Sequence, residues 1–276
     1  MPELPEVETI RRGLLERLPG RRFVEVEQVE PFMLPEGAEP GLLREALPGR
    51  LVEDVRRHGK FLTLVLSDDA YLMLHLGMTG QVTLTSSDAD LPKHGRFAFL
   101  LEGEQPRRLL FRDMRKFGGV ELTFGRPTRR LEGLGPDALE GEWTHADLVR
   151  MLAGRTTPLK AFLLDQRRLA GIGNIYADEI LWAARLSPLR PAGALSEDEV
   201  VRLATEIRGR LAEGVRLRGC SISDFVDAEG RPGGFQRTLQ AYGRQGEPCA
   251  RCGRLLDRTV VAGPEFRSRA APPRPR

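Results

Sequence analysis

From Pro2 to Leu18 the apolar residues fall at Leu4, Val7, Ile10, Leu14 and Leu18, with arginines on the opposite face. That spacing predicts an amphipathic helix. Glu3 and Glu6 lie in its first turn, where carboxylates face the positive end of the helix dipole. From about Arg22 to Phe124 the period shortens. The runs RFVEVEQV, LVEDVRRHGKFLTLVL, AYLMLHLGMTGQVTL, RFAFLLEG and RRLLFRDMRKFGGVELTF are short, partly alternating and parted by Gly, Pro or Asp-Asp turns. They read as strands of a β-sandwich or barrel.

The helical period returns in THADLVRMLAGR, TPLKAFLLDQRRLAG, NIYADEILWAARL and SEDEVVRLATEIRGRLAEGVRLRG, the last with Ser196 as cap and Glu199 completing a capping box. The turn Gly171-Ile172-Gly173-Asn174 and the proline-bounded stretch SPLRPAGALS interrupt it. A Gly- and Asp-rich loop from Cys220 to Gln236 runs into TLQAYGRQGEPCARCGRLLDRTVVAG, read as two short strands around a turn. The tail PEFRSRAAPPRPR has no apolar periodicity and is expected to be disordered. The expected class is α+β: a leading helix and β-sandwich over 1–130, a helical domain over 131–235, a hairpin over 236–263 and a tail over 264–276.

Composition narrows the function without naming it. The chain has 276 residues, 41% hydrophobic and 29% charged, the balance of a globular protein. No apolar run reaches the roughly 18 residues of a membrane span. The acidic, proline-containing start is not that of a signal peptide, so residence inside the cell is the default expectation. A net charge of +3 permits nucleic-acid binding without requiring it, although arginines gather around 107–116, 126–130, 150–168 and 244–276. Each cluster reads equally as a solvated surface. Three cysteines, Cys220, Cys249 and Cys252, make no disulfide framework, and Cys249-x-x-Cys252 reads as half a metal site.

The opening Met1-Pro2-Glu3 carries candidate chemistry. Loss of Met1 leaves Pro2 as a secondary amine, which can attack a sugar carbon and form an iminium. A free α-amine titrates near ~7.7–8 against ~10.4 for lysine, so a usable fraction is unprotonated at neutral pH. Glu3 and Glu6 have a plain alternative reading as helix-dipole partners worth ~0.3–1 kcal/mol.

The segments MPELPEVETIRRGL, RRHGKFL, HLGMTG, RDMRKFGG, LGPDAL, LKAFLLDQRRLAGIGNIYADEILW and YGRQGEPCARCG occur in the order found in bacterial formamidopyrimidine-DNA glycosylases, and the chain resembles that family up to about Gly263. The resemblance implies a glycosylase and abasic-site lyase that removes oxidised purines from damaged double-stranded DNA. Pro2 would be the nucleophile at C1′, Glu3 the acid/base, Glu6 a second active-site carboxylate, and Lys60 the group that assists elimination and touches a phosphate. Met78, Arg115 and Phe117 would fill the hole left by an everted base. His94 and Arg155 would contact DNA, and Lys160 and Asn174 would clamp phosphate in a helix–two-turn–helix element. The loop from Gly219 to Gly234 would close over the purine. A monomer at the nucleoid in the cytoplasm is expected.

The match breaks in the hairpin. The family holds zinc there with two Cys-x-x-Cys pairs about sixteen residues apart. Cys249 and Cys252 supply one pair, and Pro264-Glu265-Phe266 follow where the second is due. Two thiolates do not close a four-ligand zinc shell. The hairpin arginine expected after Gly263, implied to serve δ-elimination, is replaced by Pro264. Leu4 favours the formamidopyrimidine branch over the endonuclease VIII group, which typically opens Met-Pro-Glu-Gly-Pro-Glu. Two rival readings stay open: an oxidised-pyrimidine glycosylase, and a lesion-binding DNA protein impaired by loss of its finger.

Overall fold

The structure is a computed structural model that describes residues 2–259 and 261, and these residues form eight strands and six α-helices. The tail expected to be disordered lies outside the described residues. Two compact units are present. One comprises residues up to 132 together with 217–234; the other comprises 133–216 and the residues from 235 on. The first boundary falls where the strand pattern stops. The segment 217–234 differs from expectation: it packs with the first unit, not with the helices.

In the first unit, helix α1 (Leu4–Leu15) precedes strand β1 (Phe23–Val29) and a short helix α2 (Pro40–Ala46). The sequence pattern predicts no helix between β1 and the next strand. Strands β2 (Val52–His58), β3 (Phe61–Leu66), β4 (Ala70–His75) and β8 (Gly119–Phe124) form one antiparallel sheet in the order β2-β3-β4-β8. Strand β1 joins β6 (Gly95–Leu101), β7 (Arg108–Arg112) and β5 (Gln81–Thr85) in a second, ordered β1-β6-β7-β5. The buried face of α1 (Val7, Ile10, Leu14) shares a core with Leu62, Leu64, Leu72 and Leu74 of one sheet and Phe97, Phe99 and Phe111 of the other. The three phenylalanines stack with centroids 4.7–4.9 Å apart.

The second unit is helical. It contains α3 (His145–Leu152), capped by Thr144 and Asp147, then α4 (Leu159–Leu164), α5 (Asn174–Ala184) and α6 (Glu197–Arg216). Helix α4 stops at Leu164, although the apolar period continues to Leu169, because Asp165 to Gly173 form a turn. Among the described residues of the expected hairpin there is no strand but an isolated bridge between Pro248 and Leu255; residues 260 and 262–263 of that span lie outside the described residues.

Candidate active site and nucleic-acid interface

Pro2 and Glu3 are buried at the start of α1, and Pro5 sits in its first turn, where a missing N–H costs nothing. Glu3 caps the helix in extended conformation. Its N–H donates to Glu6 Oε2 at 2.8 Å, and the Cys220 N–H donates to Glu6 Oε1 at 2.7 Å. Both oxygens of Glu6 are therefore occupied by backbone donors. Gly219 lies at φ +80°, and a Cβ there would stand 3.0 Å from Glu6 Oε1. The close approach of loop and carboxylate thus requires glycine. Glu6, expected as a second catalytic carboxylate, is a fastener between the chain start and the 219–220 loop.

Lys60 stands on the two-residue turn between β2 and β3, whose last pair is His58 with Phe61. Gly59 takes φ +55°, the positive value a tight hairpin turn demands. Arg57 fixes this turn from below: its Nη1 donates to the Gly59 carbonyl at 3.2 Å and its Nε to Glu8 Oε2 at 3.0 Å. The Arg57 and Glu8 side chains are fully buried, and Arg11 and Arg12 also bind Glu8 at 2.8 and 2.7 Å. Burial alone would raise the Glu8 pKa, but the three guanidinium hydrogen bonds hold it at about 2. This pair ties α1 to the lysine turn. Burial depresses the Lys60 pKa, and the charges of Glu3 and Glu6 pull it partly back. A lysine in that balance can give up its proton more readily than an exposed one.

His75 was not singled out in the sequence, although it begins HLGMTG. It pairs with Phe61 across β3 and β4 and stacks on that ring at 4.9 Å. Burial, with help from Arg130 and Lys60, lowers its pKa to about 4; Asp113 and a hydrogen bond with the Phe117 backbone act the other way. At neutral pH it is an uncharged imidazole between the lysine turn and the loop of Phe117.

The same end of the sandwich carries two interlocked loops. One follows β4 and bears Met78; the other, 113–118, joins β7 to β8 and bears Arg115 and Phe117. Asp113, 0% exposed, organises them. Its Oδ1 accepts from Thr79 Oγ1 at 2.5 Å and from the Arg115 N–H at 3.1 Å, and its Oδ2 accepts from the Gly118 N–H at 2.8 Å. Gly77 lies at φ +59°, and a Cβ there would fall 2.4 Å from the Phe117 carbonyl carbon. Met78, Arg115 and Phe117 are exposed, and Arg115 lies over the Phe117 ring at 5.2 Å. The expected trio is thus brought together with its apolar members facing solvent. Asp113 and Thr79, which hold it, carried no signal of their own in the sequence.

His94 occupies φ +68° just before β6, and its carbonyl accepts the Asp113 N–H at 3.0 Å. Desolvation and the cations Lys93, Arg96, Arg112 and Lys116 lower its pKa. An anion arriving there would reverse that electrostatic disfavour.

In the second unit, Gln166 shapes the turn between α4 and α5. Its amide bonds the Leu164 and Ile172 carbonyls and the Gly171 N–H, each at 2.9 Å. Gly173 is the N-cap of α5 and brings no capping side chain to the start of the helix, which carries the positive end of its dipole. Asn174 begins α5, with its Oδ1 buried and without a hydrogen-bond partner among the described residues. Arg155 is exposed and lines a cleft with Arg167, Arg168 and Phe162. Lys160 requires correction. It is 0% exposed, and its Nζ is 2.7 Å from Asp178 Oδ1, itself buried. Its ammonium is consumed inside the unit, so it braces α4 against α5 and does not grip phosphate. Glu179 accepts the N–H groups of Gln240, Ala241 and Tyr242 at 2.8–2.9 Å and so fixes that loop. Burial raises its pKa despite these bonds.

Cys249 is buried and Cys252 exposed. The Trp182 indole N–H donates to Cys249 Sγ at 3.4 Å. Burial would raise the thiol pKa, but this bond, the backbone N–H groups of Arg251 and Cys252 and the Cys252 thiol lower it on balance. No group of three potential metal-ligating side chains occurs among the described residues. The donor set therefore does not fit a four-ligand zinc site.

Residues 1–120 match the formamidopyrimidine-DNA glycosylase N-terminal domain, and residues 134–226 match the H2TH domain of the same family. The formamidopyrimidine-DNA glycosylase of Moorella thermoacetica is 43% identical over 94% of both chains, and that of Thermus thermophilus is 44% identical over 95% of both. Among solved structures, the MutM (Fpg) protein from Thermus thermophilus aligns with a TM-score of 0.82 at 42% identity over 95% of both chains. The wild-type Fpg of Lactococcus lactis, in complex with DNA containing N7-benzyl-Fapy-dG, aligns with a TM-score of 0.86 at 34% identity over 95% of this chain and 96% of that one. Two family models over most of the chain, relatives above 40% identity and coverage of nearly the whole of both chains lead to one conclusion: this chain belongs to the formamidopyrimidine-DNA glycosylase family.

Proposed function

We propose that this chain is a bifunctional DNA glycosylase and abasic-site lyase of base excision repair, acting on oxidised purines such as 8-oxoguanine and formamidopyrimidines in double-stranded DNA. The observation that carries the reading is the charge set at the start of α1: Glu3 buried beside Pro2, and both Glu3 and Glu6 within electrostatic reach of a desolvated Lys60. A buried acid and a lysine of lowered pKa beside a secondary amine suit attack on C1′ followed by elimination.

After removal of Met1, the Pro2 nitrogen adds to C1′ as the damaged base leaves with its bonding electrons and takes up the proton that the nitrogen sheds. Glu3 protonates the ring oxygen as the sugar opens, and nitrogen and C1′ become an iminium. The iminium acidifies the C2′ proton, and Lys60 in its neutral form accepts it as the 3′ phosphate departs. Met78, Arg115 and Phe117 occupy the vacated stack while the nucleotide is out of the duplex. His94, Arg155 and the start of α5 at Asn174 contribute phosphate contacts. Glu6 acts by holding the chain start and the 219–220 loop together. No step passes through a metal.

Borohydride trapping tests the reading. Wild type incubated with an 8-oxoguanine duplex should become covalently joined to it, and Pro2→Gly should abolish the adduct. Protein that binds the lesion duplex but never traps would make it a binding protein. Faster excision from thymine-glycol duplexes than from 8-oxoguanine would move it to the oxidised-pyrimidine class.

A further inference from the structure

The pair Cys249 and Cys252 lies on a tight turn. The Cys249 N–H donates to the Arg254 carbonyl at 2.7 Å, and the Gly253 N–H returns to the Cys249 carbonyl at 2.8 Å, with Gly253 at φ +72°. These two bonds fold the chain back on itself around Cys252, which keeps both cysteines on one turn. Three donors point at Cys249: the Trp182 indole and the backbone N–H groups of Arg251 and Cys252. Trp182 is clamped in place by Arg251, whose guanidinium lies 4.1 Å from the ring centroid and donates to the Trp182 carbonyl at 2.8 Å. Cys249 is the buried sulfur of the pair. Its neighbour faces solvent, where an oxidant can reach it.

No metal shell accounts for this arrangement. The sequence has three cysteines, and its four histidines, His58, His75, His94 and His145, all precede residue 146. No third ligating side chain joins the pair among the described residues.

We propose that Cys249 and Cys252 form a redox-active dithiol that closes reversibly to an intramolecular disulfide, stapling the turn by a covalent bond where its relatives' pattern of four cysteines would use a metal. With hydrogen peroxide as oxidant, the Cys252 sulfur, having released its proton to solvent, attacks one peroxide oxygen. The O–O bond breaks, leaving a sulfenic acid and a hydroxide that takes up that proton as water. The Cys249 sulfur then attacks the Cys252 sulfur, the S–S bond forms and the S–O bond breaks, and the departing oxygen takes the proton given up by the Cys249 thiol and leaves as water. Two thiols and one peroxide give one disulfide and two waters. A thiol reductant reverses the bond by exchange.

The test uses the full chain, reduced, freed of reductant and treated with hydrogen peroxide. The free-thiol count, measured in denaturant, should fall from the three encoded cysteines to one. The intact mass should drop by about 2 Da, the two hydrogens lost on oxidation. Peptide mapping should join Cys249 to Cys252, and dithiothreitol should restore all three thiols. Cys252→Ser, at an exposed position that folding tolerates, should show no such mass loss and no such peptide. Three thiols unchanged under peroxide, or Cys252 driven to sulfinate while Cys249 stays reduced, would overturn the proposal. So would about one zinc per purified wild-type chain that is lost in Cys252→Ser, because the pair would then be a metal site.

Discussion

Glu8 and His75 hold unusual protonation states for opposite reasons, and each has a measurable consequence. Glu8 keeps its charge because three arginines surround it, with a folded pKa of about 2 against the ordinary 4.5. Its contribution is complete above the ordinary carboxylate pKa and is lost as pH falls toward 2. A displacement of that size is worth on the order of 3 kcal/mol. Glu8→Gln removes the buried carboxylate that Arg57 binds and should cost about 3–5 kcal/mol at neutral pH. The gap to wild type, read from urea unfolding, should narrow between pH 4.5 and 2 as the wild-type carboxyl protonates; a constant gap would deny the pair its role. His75 stays neutral because burial outweighs its hydrogen bond to Phe117. An imidazole resonance followed by NMR should titrate near pH 4, and a midpoint above 6 would mean that the ring is hydrated.

At the scale of elements, the two interlocked loops depend on a glycine. Gly77→Ala would drive a methyl group into the Phe117 backbone at a positive φ. It should cost about 1–3 kcal/mol in stability and slow excision from lesion duplex. An unchanged rate would show that Met78 and Phe117 need no such register. Much of this was legible in advance. Alternation marked the strands, and helical spacing marked α1, α3, α5 and α6, because in each case one face meets a core. Helix α4 was read too long, since Leu169 continues the apolar period while its backbone has already turned at Asp165. Strands were expected after residue 237 where isolated bonds suffice. The trio Met78, Arg115 and Phe117 could be named from motif resemblance, but Asp113 could not be found as its support. An aspartate in a turn looks the same whether its oxygens meet water or three protein donors. Lys160 failed for the related reason that burial of a charge depends on a partner eighteen residues away.

For the molecule as a whole, the net charge of +3 understates the grip on DNA because the cations are gathered locally. Affinity for a lesion duplex should fall steeply with salt, and Arg155→Ala should reduce the log–log slope by about 1. Lys160→Met should leave that slope alone and lower the melting temperature instead, since it removes the ammonium paired with the buried Asp178. A changed slope with unchanged stability would return Lys160 to the phosphate contacts. Glu6 links this scale back to the smallest. Its carboxylate is a two-handed clasp, each oxygen closed on a main-chain donor. Opening either hand would register as slack in the loop that begins at Gly219, so the chain start and that loop can loosen only together.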